Sequence, residues 1–216
     1  MPLWFYSEGE RVVIITFKSH QEATASAASH TFTSMGLGTS GIAIACLGWQ
    51  SSATSTVSSV TIGGVTAAVS IAPVRDGGSR ELALYIASGV VATVGDIVLS
   101  ISTTALNWAC VSYQLAGALP VASSTATNIS TTPNASMSCN AHGAILGAGI
   151  AGAASSPACT WAGIAEDSDN NYGGSNLQDF SAAHTNFTAA QSGLVCTATF
   201  SPVVAAAGIF AAFNPS

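Results

Sequence analysis

From residue 11 to residue 213 the chain is written in short runs of β-branched and small apolar residues, interleaved with Ser and Thr and broken by Gly. No long stretch holds apolar residues at helical spacing. Alternation with a period of two puts successive side chains on opposite faces of a strand, so the pattern confines this chain to sheets. Residues 11–18 (RVVIITFK), 31–35, 41–49, 82–87 (LALYIA), 96–101 (DIVLSI) and 108–115 (WACVSYQL) each read as a strand. The series continues through 143–154 (GAILGAGIAGAA), 159–164 (CTWAGI), 194–201 (LVCTATFS) and 208–213 (GIFAAF). Between Ser58 and Ser70 two such runs flank Gly63-Gly64. Both glycines tolerate positive φ, which predicts a two-residue hairpin turn.

Short strands with turns at regular spacing argue for an all-β fold, an antiparallel β-sandwich of jelly-roll-like form. One domain over residues 1–216 accommodates them, since sandwiches often pass 200 residues as single units. The Ser/Thr/Ala/Asn-rich stretch 122–138 is the least patterned and is expected to be a long crossover loop between sheets. Residues 74–80, with Arg75, Asp76 and Arg80 among glycines, read as an exposed loop, and 166–179 as a polar one.

Charge narrows the partners. Lys and Arg number 4 against 10 Asp and Glu, for a net charge of −6. Four bases cannot neutralise a run of phosphates, which excludes nucleic acid and, on the same ground, an anionic membrane surface. The mean hydropathy is +0.49, yet no stretch supplies the roughly 18 uninterrupted apolar residues of a spanning helix. The nearest, 141–154 and 203–213, are short and rich in Ala and Gly. Membrane barrels need aromatic girdles that 4 Trp and 4 Tyr hardly provide, so no membrane insertion is expected. The opening MPLWFYSEGE has neither a basic n-region nor an apolar h-region, which predicts no secretory signal peptide. With charged residues at only 6%, the polar faces of the strands are Ser and Thr. Such small side chains let flat surfaces approach closely, which suits packing against copies of itself or a larger shell.

The order of phrases from Phe32 to Leu115 carries a resemblance. It runs through the Gly-rich turn 36–41, the apolar strand ending in Trp49, SSVTIGG (58–64), LALYIA, VGDIVLSIS (94–102) and WACVSYQL. This order, with the later TWAGIAE (160–166) and the Ala-rich ending, resembles β-sandwich structural proteins of tailed bacteriophages and prophages. The resemblance implies a non-enzymatic virion component made in the host cytoplasm. It would be a capsid decoration protein or a neck or tail accessory, with copies of itself and other virion proteins as partners. It transfers no functional residues.

The chemistry that the residues offer is sparse. No G-x-S-x-G elbow occurs, and His20, His30, His142 and His184 show no metal-ligand spacing. Asp167, Asp169 and Asn171 alternate as oxygen ligands do in calcium loops. Tyr172 stands where an EF-hand loop needs Gly, and Gln178 where it needs an acid, so an irregular calcium site competes with a solvated turn. Of the cysteines, Cys46 and Cys196 share faces with apolar residues and are expected to be buried, and Cys110 sits mid-strand. Cys139 and Cys159 lie at segment edges and are the disulfide candidates, within or between chains. Trp49, Trp108 and Trp161 fall in strand patterns and read as core. If exposed beside the acidic segment, Trp or Tyr would instead make a platform for a surface glycan in host adsorption.

Overall fold

The computed structural model describes residues 11–152, 157–172, 178–203 and 205–216. Among them there is no helix, and antiparallel strands dominate. The first half of the chain forms β1 (Ile14–Gly36), β2 (Ile42–Ser51), β3 (Val57–Ile62), β4 (Val65–Thr66), β5 (Ala68–Arg75), β6 (Arg80–Ser88) and β7 (Val94–Ala116). These make one sheet in the order β4-β3-β7-β2-β6-β5, with β1 also on β7. The two halves of β7 have different neighbours. Residues 97–101 pair with β3, and residues 105–114 pair with β2. The sheet closes almost completely around Phe32, Leu47, Trp49, Ile97 and Trp108.

The strands of the second half form two further sheets. β8 (Ser124–Ile129), β10 (Ala144–Gly152), β12 (Ala165–Tyr172), β13 (Gln178–Asn186) and β15 (Ala205–Phe213) take the order β12-β13-β10-β15-β8. β9 (Asn134–Cys139), β11 (Ala158–Ala162) and β14 (Gln191–Ser201) take the order β11-β14-β9. The fold is therefore all-β and sandwich-like, with three packed layers. The five-stranded sheet is the middle one. Leu146, Ile150, Phe180 and Ile209 face the seven-stranded sheet, and Ile145, Ala183 and Phe210 face the three-stranded sheet.

A middle sheet has no solvated face, so its inner strands must be apolar on both sides. β10 (AILGAGIAG) is buried throughout and β15 (AAAGIFAAF) nearly so. Small residues bring the layers close. A Cβ on Gly48 of β2 would stand 2.7 Å from the Phe180 ring, and one on Gly147 the same distance from Trp161. The hairpin expected at Gly63-Gly64 is present, with φ of 58° and 79° joining β3 to β4.

Three loop expectations are corrected. The stretch 122–138 does cross between sheets, but it does so as two strands, β8 and β9, on different layers. In β9 the polar Asn134, Ser136 and Ser138 point outward between buried Ala135, Met137 and Cys139, whereas β8 mixes exposed Ser124, Thr125, Thr127 and Ile129 with half-buried Ala126 and Asn128, so its alternation is hidden. Residues 165–172 and 178–186 pair as β12 and β13. Residues 74–80 form the end of β5, a short turn exposed only at Gly77 and Gly78, and the start of β6. Asp76 and Glu81 are fully buried, the first accepting from Arg80 (3.2 Å) and the second from Arg75 (2.7 Å). No helix among the described residues is long and apolar enough to cross a membrane.

Candidate functional site

The acidic segment expected to bind calcium is strand β12, and its carboxylates diverge. The register steps from Glu166↔Ala183 to Ser168↔Ala182, so Asp167 is the extra residue of a bulge. A bulge re-aims a side chain. Asp167 turns toward the seven-stranded sheet, where Tyr113 Oη donates to its Oδ2 at 2.9 Å and His184 Nδ1 lies 2.7 Å from the same oxygen. Asp169 keeps the strand alternation and turns the other way, where its Oδ2 accepts the Cys159 backbone N–H at 3.0 Å. Asn171 is exposed. The three residues do not converge on one point, which corrects the calcium expectation. Among the described residues no group of three or more His, Cys, Asp or Glu is placed to hold a metal ion.

Asp167 serves instead as a tie between layers, joining β7, β12 and β13. Burial, with the Cys46 and Asp167 groups nearby, holds the Tyr113 phenol well above its ordinary value, so it remains a donor. Beside this tie lies a pair of carboxyls. Asp179 is fully buried, and among the described residues neither of its oxygens finds a donor, nor does Oδ1 of Asp169. Burial and the facing Asp169 push the Asp179 carboxyl up to about 9. A proton on Asp179 supplies the missing donor between the two acids. Ser181 and Trp161 line the same side, the indole N–H donating to Ser181 Oγ at 2.8 Å.

The cysteine expectations divide. Cys46 and Cys196 are buried, as their strand faces required, and Cys110, which its strand position left free to face either way, is buried too. Cys139 and Cys159 are not at exposed edges. Each is 4% exposed, they belong to different core clusters, and no disulfide forms. Strand alternation explains this, because Cys139 falls on the inward face of β9 with Ala135 and Met137. Burial pushes all five thiols up, Cys196 to about 11. Thiols held so far from ionisation are poor nucleophiles. Of the rings named for a glycan platform, Trp161 is half-buried and the others are enclosed. Trp49 and Trp108 are fully buried, Tyr172 is 8% exposed, and Trp161 packs edge-on against Phe210. His30 is stacked on Trp108, and burial lowers its pKa.

The surface is informative at its sheet edges. On one flank β12 lies against β1 and β11, so three edge strands from three layers stack as a wall. That wall is charged and blunted. β1 carries Lys18, His20 and Glu22 and departs from regular register four times. Asn170 Nδ2 donates to His20 Nδ1 at 2.9 Å, and Asp169 caps the outward N–H of β11 at Cys159. On the opposite flank β8 lies against β5 and β9. β5 is interrupted by Pro73 and two register shifts. β8 (STATNI) and β9 (NASMSC) have no charge and no proline, and β8 follows β15 without a shift. Proteins ordinarily protect such edges with charge, proline or bulges. Here the protection covers one flank and, on the other, β5 and the irregular β14–β9 pairing, and it omits β8. The signal was present in the sequence, where no Asp, Glu, Lys or Arg occurs from Ile97 to Ala165.

No protein-family model matches the chain, and no curated protein matches it in sequence.

Proposed function

We propose that this chain is a non-enzymatic structural subunit that works by repeated association, burying a neutral flank against copies of itself or a shell. The single observation that carries the reading is the asymmetry of the two edge walls. Strand edges guarded by charge and bulges on one flank face solvent safely, whereas β8 ends its sheet with no charge, no proline and no register shift. A chain with few charges and an unguarded edge gains most from a partner that covers it. Mass action then stabilises the subunit within the assembly.

The resemblance of the strand phrases to tailed-phage virion proteins supports a specific form of this reading, a capsid decoration protein. Small hydroxyl-bearing faces suit tiling of many identical positions by weak, shape-matched contacts. Buried thiols remove any need for a covalent lock. Size-exclusion chromatography with light scattering tests the assembly reading. A concentration-dependent oligomer that reductant does not loosen is expected. A monomer at every soluble concentration overturns it.

A further inference from the structure

Resting on the assembly reading above, we propose that β8 is a self-pairing edge. The β8 of a second copy docks on it antiparallel, centred on Thr127, and joins two five-stranded sheets into one.

The register fixes which backbone groups are open. Residues 130 and 206 stand opposite one another when the β8–β15 pairing is extended, and the Ser130 N–H bonds the Ala206 carbonyl at 3.2 Å. Hydrogen-bonded residues alternate along an antiparallel ladder. Ala126 and Asn128 therefore spend their groups on β15, the Ser123 N–H bonds the Ala212 carbonyl at 2.7 Å where the strand begins, and Thr125, Thr127 and Ile129 turn theirs outward. Three outward residues are symmetric about the middle one. A two-fold axis there sets Thr127 against Thr127 and Thr125 against Ile129, each pair exchanging two backbone bonds. All three residues are β-branched, the type that pairs best across strands. The Ile129 side chain, 57% exposed in the single chain, comes to lie beside Thr125 of the second copy.

Charge selects a second copy as the occupant. Chains of net charge −6 repel one another unless they meet on a face without carboxylates. The β8/β9 edge is such a face, and the Arg75 and Glu81 side chains at the end of β5 neutralise each other. Exposed apolar residues gather on the same flank. Leu119 and Val121, 60% and 58% exposed, lead into β8. A β8 pair alone is too short for a stable interface, which buries on the order of 1,200–2,000 Å² in total. Leu119, Val121 and the neighbouring edges supply the remainder.

Single cysteines placed in this edge test the register, and the native thiols are buried and silent. Opposed residues of a hydrogen-bonded pair have Cα atoms about 5.5 Å apart, within disulfide reach. Oxidation of the full chain with copper–phenanthroline is expected to cross-link Thr127→Cys to a dimer by itself. Thr125→Cys alone should stay monomeric on the gel, and should cross-link when mixed with Ile129→Cys. Thr127→Pro removes only an outward N–H, and is expected to reduce the light-scattering mass to a monomer with unchanged far-UV circular dichroism. If the native chain associates but Thr125→Cys cross-links by itself, or Thr127→Pro still associates, the β8 register is overturned and the assembly reading stands. A native chain that is always a monomer overturns both.

Discussion

Replacing Asp179 by Asn should make the protein more stable at neutral pH, against the usual outcome of a core substitution. Asp179 is fully buried beside Asp169, and its carboxyl is held at about 9 in place of the ordinary 3.8. Below about pH 4 the group is protonated both folded and unfolded, and the raised value has no effect on stability. From there to about pH 9 the unfolded chain ionises Asp179 while the folded chain does not. Stability therefore falls as pH rises across that window and levels off above it. At about 1.4 kcal/mol per pH unit, the folded state forgoes roughly 4 kcal/mol by pH 7. Asn has nearly the same shape and donates an N–H toward Asp169 with no ionisation to suppress.

The expected gain for Asp179→Asn is therefore about 1–4 kcal/mol at pH 7, shrinking toward zero at pH 4. Urea unfolding of both chains at a series of pH values reads it directly. Comparing the two chains cancels the other titrating groups, including His30, whose lowered pKa weakens the fold on the acid side. A variant less stable than the native chain by a constant amount at every pH would refute the reasoning. That result would mean that the Asp179 carboxyl titrates in the fold as it does in the unfolded chain, so that its burial carries no ionisation penalty.

Thiol reactivity checks the burial of the cysteines. The native chain should react negligibly with a bulky aromatic disulfide reagent at pH 8, and all five thiols should react in denaturant; rapid titration of Cys139 or Cys159 in the native chain would contradict their placement. Gly48→Ala tests the closeness of the layers. Its Cβ would meet the Phe180 ring at 2.7 Å and Ile150 at 3.0 Å, so a loss of about 1–3 kcal/mol is expected in urea unfolding, and a neutral result would mean that the two sheets stand further apart.

The fold was legible where buried strands are also apolar. The inner strands β2, β6, β10 and β15 announce themselves because burial demands apolar runs, and Gly63-Gly64 announces its turn by the φ values that it permits. The inner strand β13 does not, because its buried residues include Gln178, Asp179 and Ser181. Three further kinds of segment were not legible. β8 and β9 hide because edge strands need few apolar residues, and β12 hides because the carboxylates that guard an edge look like a solvated loop. The polar middle of β1, residues 19–30, hides because its pairing with β7 supplies what its side chains do not.

The same physics explains why the site was misread. Alternation in the sequence put Asp167, Asp169 and Asn171 on one face, and a single inserted residue in β12 reversed Asp167. A ligand set inferred from spacing survives only if the strand has no bulge, and bulges favour edges. Cys139 failed similarly, since a residue that ends a strand still obeys its alternation. The feature on which the proposed function rests was an absence, the lack of any Asp, Glu, Lys or Arg from Ile97 to Ala165, and an absence carries meaning only after the fold shows where it falls. Spread over inner strands it would express burial alone. Much of it does lie in β7 and β10, where burial accounts for it. The part in β8 and β9 falls on open edges, where burial within one chain cannot account for it and burial between chains can.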